Sequence, residues 1–314
     1  MGTRLVPILR KCRVDNSHLP GAPIQMSSQL KALLAAGEFI VAPGVFEMLS
    51  ARIADRMGFK ALYMTGYGIS ASHLGVADAG IVTYRDMVDR ARVIAGGITR
   101  PLIADADTGF GGLFNVRETV RGYETAGVQA IQIEDQQMPK KCGHTPGRRV
   151  VPLKDAVRRI EVAVDARRSD DFLIVARTDA RTGLGLDDAI ARAKAFAKAG
   201  ADIVFVEAPE SEAEFERVGQ ALAGEAYLFA NMVPSGKSPV VSAENLKRYG
   251  FSIVIYPTAG MNAACAAMEQ AYRYLDQHGS TAGSPVPAYS MDELHQLVGF
   301  PEVWAFEKRF VETN

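Results

Sequence analysis

Residues 187–207, DDAIARAKAFAKAGADIVFVE, read as one helix, one turn and one strand. Ala189, Ile190, Ala193, Phe196 and Ala197 recur at helical spacing and form a single apolar stripe. Gly200 follows, where a helix C-cap favours a left-handed backbone. Ile203–Val206 is then continuously apolar, as a parallel strand buried on both faces must be. The strand ends on an acid, Glu207.

The same unit recurs on either side. Strands are expected at Phe39–Ala42, Ala61–Met64, Leu102–Ala104, Ala130–Ile133, Phe172–Ala176, Ile203–Val206, Tyr227–Ala230 and Ile253–Tyr256. Gly58, Gly127 and Gly250 punctuate other helix ends as Gly200 does. Eight such units in about 250 residues predict an α/β fold of the (β/α)8 TIM-barrel type. A doubly wound open sheet is the second choice, but no G-x-G-x-x-G follows the first strand. Residues 1–26 are basic and then broken by Pro20 and Pro23, and read as an N-terminal extension. Residues 27–314 read as one barrel domain, its first helix opening near Met26-Ser27-Ser28. A long helical stretch, Met261–His278, follows the eighth strand, and the linker Gly279–Pro287 leads to helices near Met291–Val298 and Glu302–Val311. The extension 288–314 carries Phe300, Val303, Trp304, Phe306 and Phe310, which need a surface on their own barrel or on another subunit.

Composition narrows the function. The 314 residues are 48% hydrophobic and 23% charged, with a net charge of −1, so nothing favours nucleic acid or an anionic membrane. Cys12, Cys142 and Cys265 are far apart and form no disulfide framework or zinc spacing, which makes a reducing cytoplasm the default. No apolar run approaches membrane-spanning length.

Polar residues collect at the strand ends, where barrel enzymes bind ligands. Asp105 and Asp107 alternate onto one side of the third strand's end, and Glu134 ends the fourth. Three carboxylates without histidine or cysteine spacing favour a hard cation, Mg2+ with Mn2+ as a substitute. Arg177 ends the fifth strand as a bidentate carboxylate binder or as a charge partner for Glu134 or Glu207. Asn231 ends the seventh. The turn Thr65-Gly66-Tyr67-Gly68 offers backbone N–H groups to an anion, and Asp78 is an acid in an apolar loop. The loop after Glu134-Asp135 gathers Lys140, Cys142, Gly143 and His144, and positive neighbours favour the thiolate of Cys142. Such a loop suits closure over an anionic substrate.

The stretches Asp105-Ala106-Asp107-Thr108-Gly109-Phe110-Gly111, Ile133-Glu134-Asp135-Gln136, Lys140-Lys141-Cys142-Gly143-His144 and Ala176-Arg177-Thr178-Asp179-Ala180 resemble the isocitrate lyase / phosphoenolpyruvate mutase superfamily, over residues 28–312. The resemblance implies a Mg2+-dependent barrel that makes or breaks C–C or P–C bonds beside a 2-oxo or 2-hydroxy acid. It also implies a homotetramer with C-terminal helices exchanged between subunits. By position, Asp105, Asp107 and Glu134 match metal-site acids, some acting through water. Thr65, Gly66, Tyr67 and Gly68 match the turn that grips the substrate carboxylate, with Tyr67 departing from the usual glycine. Asp78 matches an acid near the metal, Arg177 the substrate arginine, and Glu207 and Asn231 further pocket residues. Lys140, Cys142, Gly143 and His144 match the loop whose cysteine supplies a proton.

Phosphonomutases of the family lack that cysteine, which argues against P–C chemistry. Methylisocitrate lyases show Asn-Ile-Thr-Glu-Phe-Gly after the seventh strand, where this chain has Asn231-Met232-Val233-Pro234-Ser235-Gly236, a departure that argues against a tricarboxylate and looks closer to the dimethylmalate lyase and oxaloacetate hydrolase branch. The resemblance therefore implies a lyase that cleaves a substituted malate, of the 2,3-dimethylmalate or methylisocitrate type, to pyruvate and a short acid. The partner is then a small oxo or hydroxy di- or tricarboxylate. The alternatives are hydrolysis or decarboxylation of oxaloacetate. A non-catalytic oxoacid-binding barrel would have no need of the lysine–cysteine–histidine loop.

Overall fold

The computed structural model describes residues 28–310, apart from 144 and 146. Eight parallel strands close into a barrel in chain order, the eighth pairing with the first. They are β1 (Ile40–Val45), β2 (Leu62–Met64), β3 (Leu102–Asp105), β4 (Ala130–Glu134), β5 (Leu173–Thr178), β6 (Ile203–Val206), β7 (Tyr227–Asn231) and β8 (Ile253–Tyr256). This is the expected TIM-type barrel. Several strands run further at their carboxyl ends than the apolar runs suggested. Asp105, Glu134 and Asn231 stay in register with Gln132, Arg177 and Ile255. A polar side chain does not end a ladder, because its backbone still pairs while the side chain turns into the mouth.

Alternation splits each strand between two cores. Ile40, Tyr63, Ile103, Val175, Phe205 and Phe229 fill the interior, whereas Leu62, Ala104, Ile131, Ile174 and Val204 pack outward against the helices. The helix Gln29–Ala35 adds Leu30 and Leu34 to the interior cluster. Its Leu30 N–H donates to Gln129 Oε1 at 2.9 Å, which plugs the amino end of the barrel. Ser28 is the N-cap residue, as expected, but its side chain makes no cap bond. Gly58, Gly127, Gly200 and Gly250 all take the left-handed backbone that their places after helices require.

The helix Ala259–His278 leaves the barrel with Met261 as its buried residue. The helix Met291–Val298 returns to the helix Met48–Arg56 through Leu297 and a 2.9 Å bond from Arg52 Nη1 to the Leu297 carbonyl. The last helix, Phe300–Phe310, buries none of its residues in this chain. Trp304 touches only the rings of His295 and Phe300 among the described aromatic contacts, and Trp304 and Phe306 are 48% and 60% exposed. Their own barrel therefore does not cover them. Among the described residues no helix is long and apolar enough to cross a membrane. The proposed extension 1–26 lies outside the described residues.

Candidate active site

A cavity of about 340 Å³ opens at the carboxyl end of the barrel. It is lined by Thr65, Tyr67, Asp78, Asp105, Cys142, Gly143, Arg177, Glu207 and Asn231, nine residues marked out by the sequence. Asp107, Glu134 and Lys140 do not line it but are buried; Glu134 pairs with Arg177 and Lys140 with Asp78 of the lining, and Asp107 pairs with Lys140. His144 lies outside the described residues.

Arg177 organises the floor. Its Nε and Nη2 each donate to Asp179 at 2.9 Å, in the fork geometry that suits a carboxylate. Nε also lies 3.4 Å from Glu134 Oε2, and Nη2 lies 3.2 Å from Glu207 Oε2. It is thus the charge partner of both expected acids while its face remains on the cavity. Burial opposes the charge on the guanidinium, but Asp179, Glu207 and Glu134 outweigh it and raise its pKa. Asn231 Nδ2 donates to Glu207 Oε2 at 3.1 Å, and the Ala208 N–H donates to Glu207 Oε1 at 2.8 Å. Ala208 holds φ at 59°, a strained value for alanine at a site where precise aim matters.

The acids are less simply arranged. Asp105 Oδ1 accepts the Asp107 N–H at 3.0 Å and Gln132 Nε2 at 3.4 Å. Lys140 Nζ sits between Asp78 and Asp107, bonded to the first and 2.5 Å from Asp107 Oδ1. The ammonium is therefore matched by two carboxylates. Burial raises the pKa of Asp105 and Glu134, and pushes Asp107 up to about 7 despite Lys140.

Among the described residues no three Asp, Glu, His or Cys side chains converge as a preformed metal cluster. The donor set nonetheless fits a hydrated divalent cation. Its donors are hard oxygens, and Glu134 Oε1 is buried without a hydrogen-bond partner. Asp78, Asp105, Asp107, Glu134, Asp179 and Glu207 also outnumber Lys140, Arg148 and Arg177 as buried or nearly buried charges. A cation that keeps several waters needs few direct protein ligands, which suits acids that surround a space without converging.

Two loops complete the walls. Thr65 caps a short helix, Gly66–Ile69, with its Oγ1 accepting the Gly68 N–H at 3.3 Å. That N–H, expected to serve an anion, is already engaged. A Cβ at Gly66 would stand 2.6 Å from Asp105 Oδ2, so the turn can approach the acid only with glycine there. The loop after β4 is zipped at its base by Gln137 N–H to the Arg149 carbonyl at 2.8 Å and Val151 N–H to the Asp135 carbonyl at 2.9 Å. Gln136 clamps Lys141 with both ends of its amide, at 2.8 and 3.0 Å. Cys142 N–H donates to the Asp78 carbonyl at 3.2 Å, which sets the cysteine at the cavity wall.

Other residues of the site were not singled out by the sequence. Asp179 follows Arg177 by two positions, and the alternation that paired Asp105 with Asp107 would have found it. Tyr63 OH donates to Gln132 Oε1 at 3.1 Å inside the barrel, below the strand ends where polar residues were sought. Thr258 and Asn262 reach the cavity because the helix Ala259–His278 begins over the mouth, a placement with no local signal. Asp135, next to Glu134, faces outward and binds Thr178 Oγ1 at 2.7 Å and Arg192 Nη1 at 3.2 Å.

Comparison with known proteins agrees with this geometry. The family model for phosphoenolpyruvate phosphomutase matches residues 30–275. The 2,3-dimethylmalate lyase of Eubacterium barkeri is 44% identical over 284 residues, spanning 90% of this chain and 98% of that one. The 2-methylisocitrate lyase of Aeropyrum pernix is 40% identical over 285 residues, spanning 91% and 90%. Among solved structures, an oxaloacetate acetylhydrolase bound to 3,3-difluorooxalacetate superposes with a TM-score of 0.86 at 37% identity, covering 91% of this chain and 97% of that one. With barrel, strand-end acids, arginine and cysteine loop all in place, the chain belongs to the phosphoenolpyruvate mutase/isocitrate lyase superfamily.

Proposed function

We propose that this carbon–carbon lyase cleaves a substituted malate of the 2,3-dimethylmalate type to pyruvate and a short carboxylic acid. The observation that carries the reading is the cavity itself. Arg177 is the sole Lys or Arg among its described lining residues, and Val233, Ile255 and Pro257 give it an apolar wall. One guanidinium with apolar surface beside it suits a dicarboxylate bearing an alkyl group better than a tricarboxylate. The 44% identity to a 2,3-dimethylmalate lyase supports the same substrate class.

Asp105, Asp107 and Glu134 would hold Mg2+, or Mn2+ in its place, directly or through water. Bound there, the ion supplies Lewis acidity that lowers the pKa of a substrate hydroxyl. Arg177 binds a substrate carboxylate, its fork fixed by Asp179. Cys142 returns a proton to the carbon freed when the C2–C3 bond breaks, from the wall of the same cavity. The enzyme works as a cytoplasmic homotetramer whose exposed C-terminal helices pack on a neighbouring subunit. A second reading, hydrolysis of oxaloacetate to oxalate and acetate, draws support from the acetylhydrolase likeness.

Incubation with Mg2+ and, separately, 2,3-dimethylmalate, 2-methylisocitrate and oxaloacetate, with products identified by NMR, tests the assignment. Fastest turnover of dimethylmalate is expected. Turnover of oxaloacetate alone, to oxalate and acetate, would replace the first reading with the second.

A further inference from the structure

We propose that Arg148 is a positioning residue for Arg177, acting through the carboxylate they share and leaving Arg177 able to receive a substrate anion. The inference rests on the reading of the cavity as an oxoacid anion site. Arg148 lies on the return limb of the loop after β4, beside the backbone zip at Arg149 and Val151. Its side chain is buried and does not reach the cavity. Nη1 bonds Asp179 Oδ1, and Nη2 bonds Thr182 Oγ1. The same Asp179 oxygen accepts from Arg177 Nη2 at 2.9 Å, so one buried carboxylate stands between two guanidiniums.

The charges around Arg177 give this arrangement a consequence. Asp179, Glu134 and Glu207 all lie within 3.4 Å of its nitrogens. Asp179 and Glu207, the two that are not metal-site acids, already outnumber the one guanidinium, and an incoming substrate carboxylate would be opposed. Arg148 supplies a second positive charge from behind, where it satisfies Asp179 without competing for the cavity. It also relieves Arg177 of being that carboxylate's sole cation. The same loop also comes close to Arg177 itself, since a Cβ at Gly143 would stand 2.5 Å from Arg177 Nη2. One loop thus approaches the arginine at Gly143 and balances its charge through Asp179. The plainer role for Arg148 is a pin that fastens the loop to β5, and the two roles differ in what charge does.

Arg148→Gln keeps a hydrogen-bond donor for Asp179 and removes the charge; Arg148→Lys keeps the charge and loses the fork. Calorimetric titration of each folded variant with oxalate in the presence of Mg2+ separates the roles. Arg148→Gln should bind oxalate on the order of ten-fold more weakly, the size of one charge acting across a carboxylate at an effective dielectric constant of about 20. Arg148→Lys should recover most of that affinity, whatever either change does to the melting temperature. Equal oxalate affinity in wild type and Arg148→Gln overturns the proposal, as does an Arg148→Lys no better than Arg148→Gln. Should Arg148→Gln fail to fold, an Arg148→Lys as weak as a ten-fold loss is the overturning result. A wild type that binds no oxalate strikes instead at the anion-site reading, and the proposal falls with it.

Discussion

Gly143 shows how tightly the site is drawn at the scale of single residues. An added Cβ would fall 2.5 Å from Arg177 Nη2 and 3.0 Å from Glu207. Gly143→Ala must lift the loop or turn the arginine, and misplacement of about 1 Å can cost on the order of 10²-fold in rate. We expect kcat/KM to fall at least ten-fold with little change in the melting temperature, as steady-state kinetics and a thermal melt would show. An unchanged kcat/KM would mean that the loop does not bear on Arg177 during turnover. The strand-end residues of the site were legible because a period of two, applied where an apolar run meets a polar group, marks them directly. Asp105, Arg177, Glu207 and Asn231 were found in that way. The partner of Lys140 was not legible. Its ammonium lies between Asp78 and Asp107, and Asp78 is brought there by a loop sixty-two positions away in sequence. Spacing within the lysine–cysteine–histidine loop says nothing of these two carboxylates, which only tertiary pairing brings to Lys140.

At the scale of elements, the helices that follow the barrel carry the clearest unmet demand. The helix Phe300–Phe310 buries none of its residues in the chain, and Val303, Trp304, Phe306 and Phe310 stay exposed. Deleting residues 288–314 should reduce the particle mass measured by light scattering and lower the melting temperature. A truncated protein of unchanged assembly size would show that these helices join no subunits. Sequence placed these elements well because their periodicity is strong. It placed the strand ends less well because hydrophobicity stops before hydrogen bonding does, as at Thr178 in β5, still paired with Val206. It was silent on the first turn of Ala259–His278, which brings Thr258 and Asn262 to the mouth through barrel closure alone.

The whole molecule carries a net charge of −1, yet the mouth of the barrel is far more acidic than that total. Asp78, Asp105, Asp107, Glu134, Asp179 and Glu207 face Lys140, Arg148 and Arg177, and burial pushes the Asp107 carboxyl up to about 7. A divalent cation would relieve that imbalance and return the acids to their charged forms. Chelator should therefore abolish turnover and excess Mg2+ restore it, with Asp107→Ala inactive at any Mg2+ concentration in the same assay. Full turnover in chelator would remove the metal from the account. The fold that assembles this acidic mouth was legible from eight repeated units, whereas the balance of charge within it depends on loops that no repeat describes.

The central claim, C–C cleavage completed by a proton from Cys142, is tested most directly by NMR of 2,3-dimethylmalate turned over in D2O with Mg2+. Wild type should release equal amounts of pyruvate and propionate, the propionate carrying one deuterium at C2. Cys142→Ser should form both on the order of 10²–10⁴-fold more slowly, the usual worth of a general acid. Cys142→Ser enzyme that yields deuterated propionate at the wild-type rate, or wild type that yields no propionate, would contradict the account.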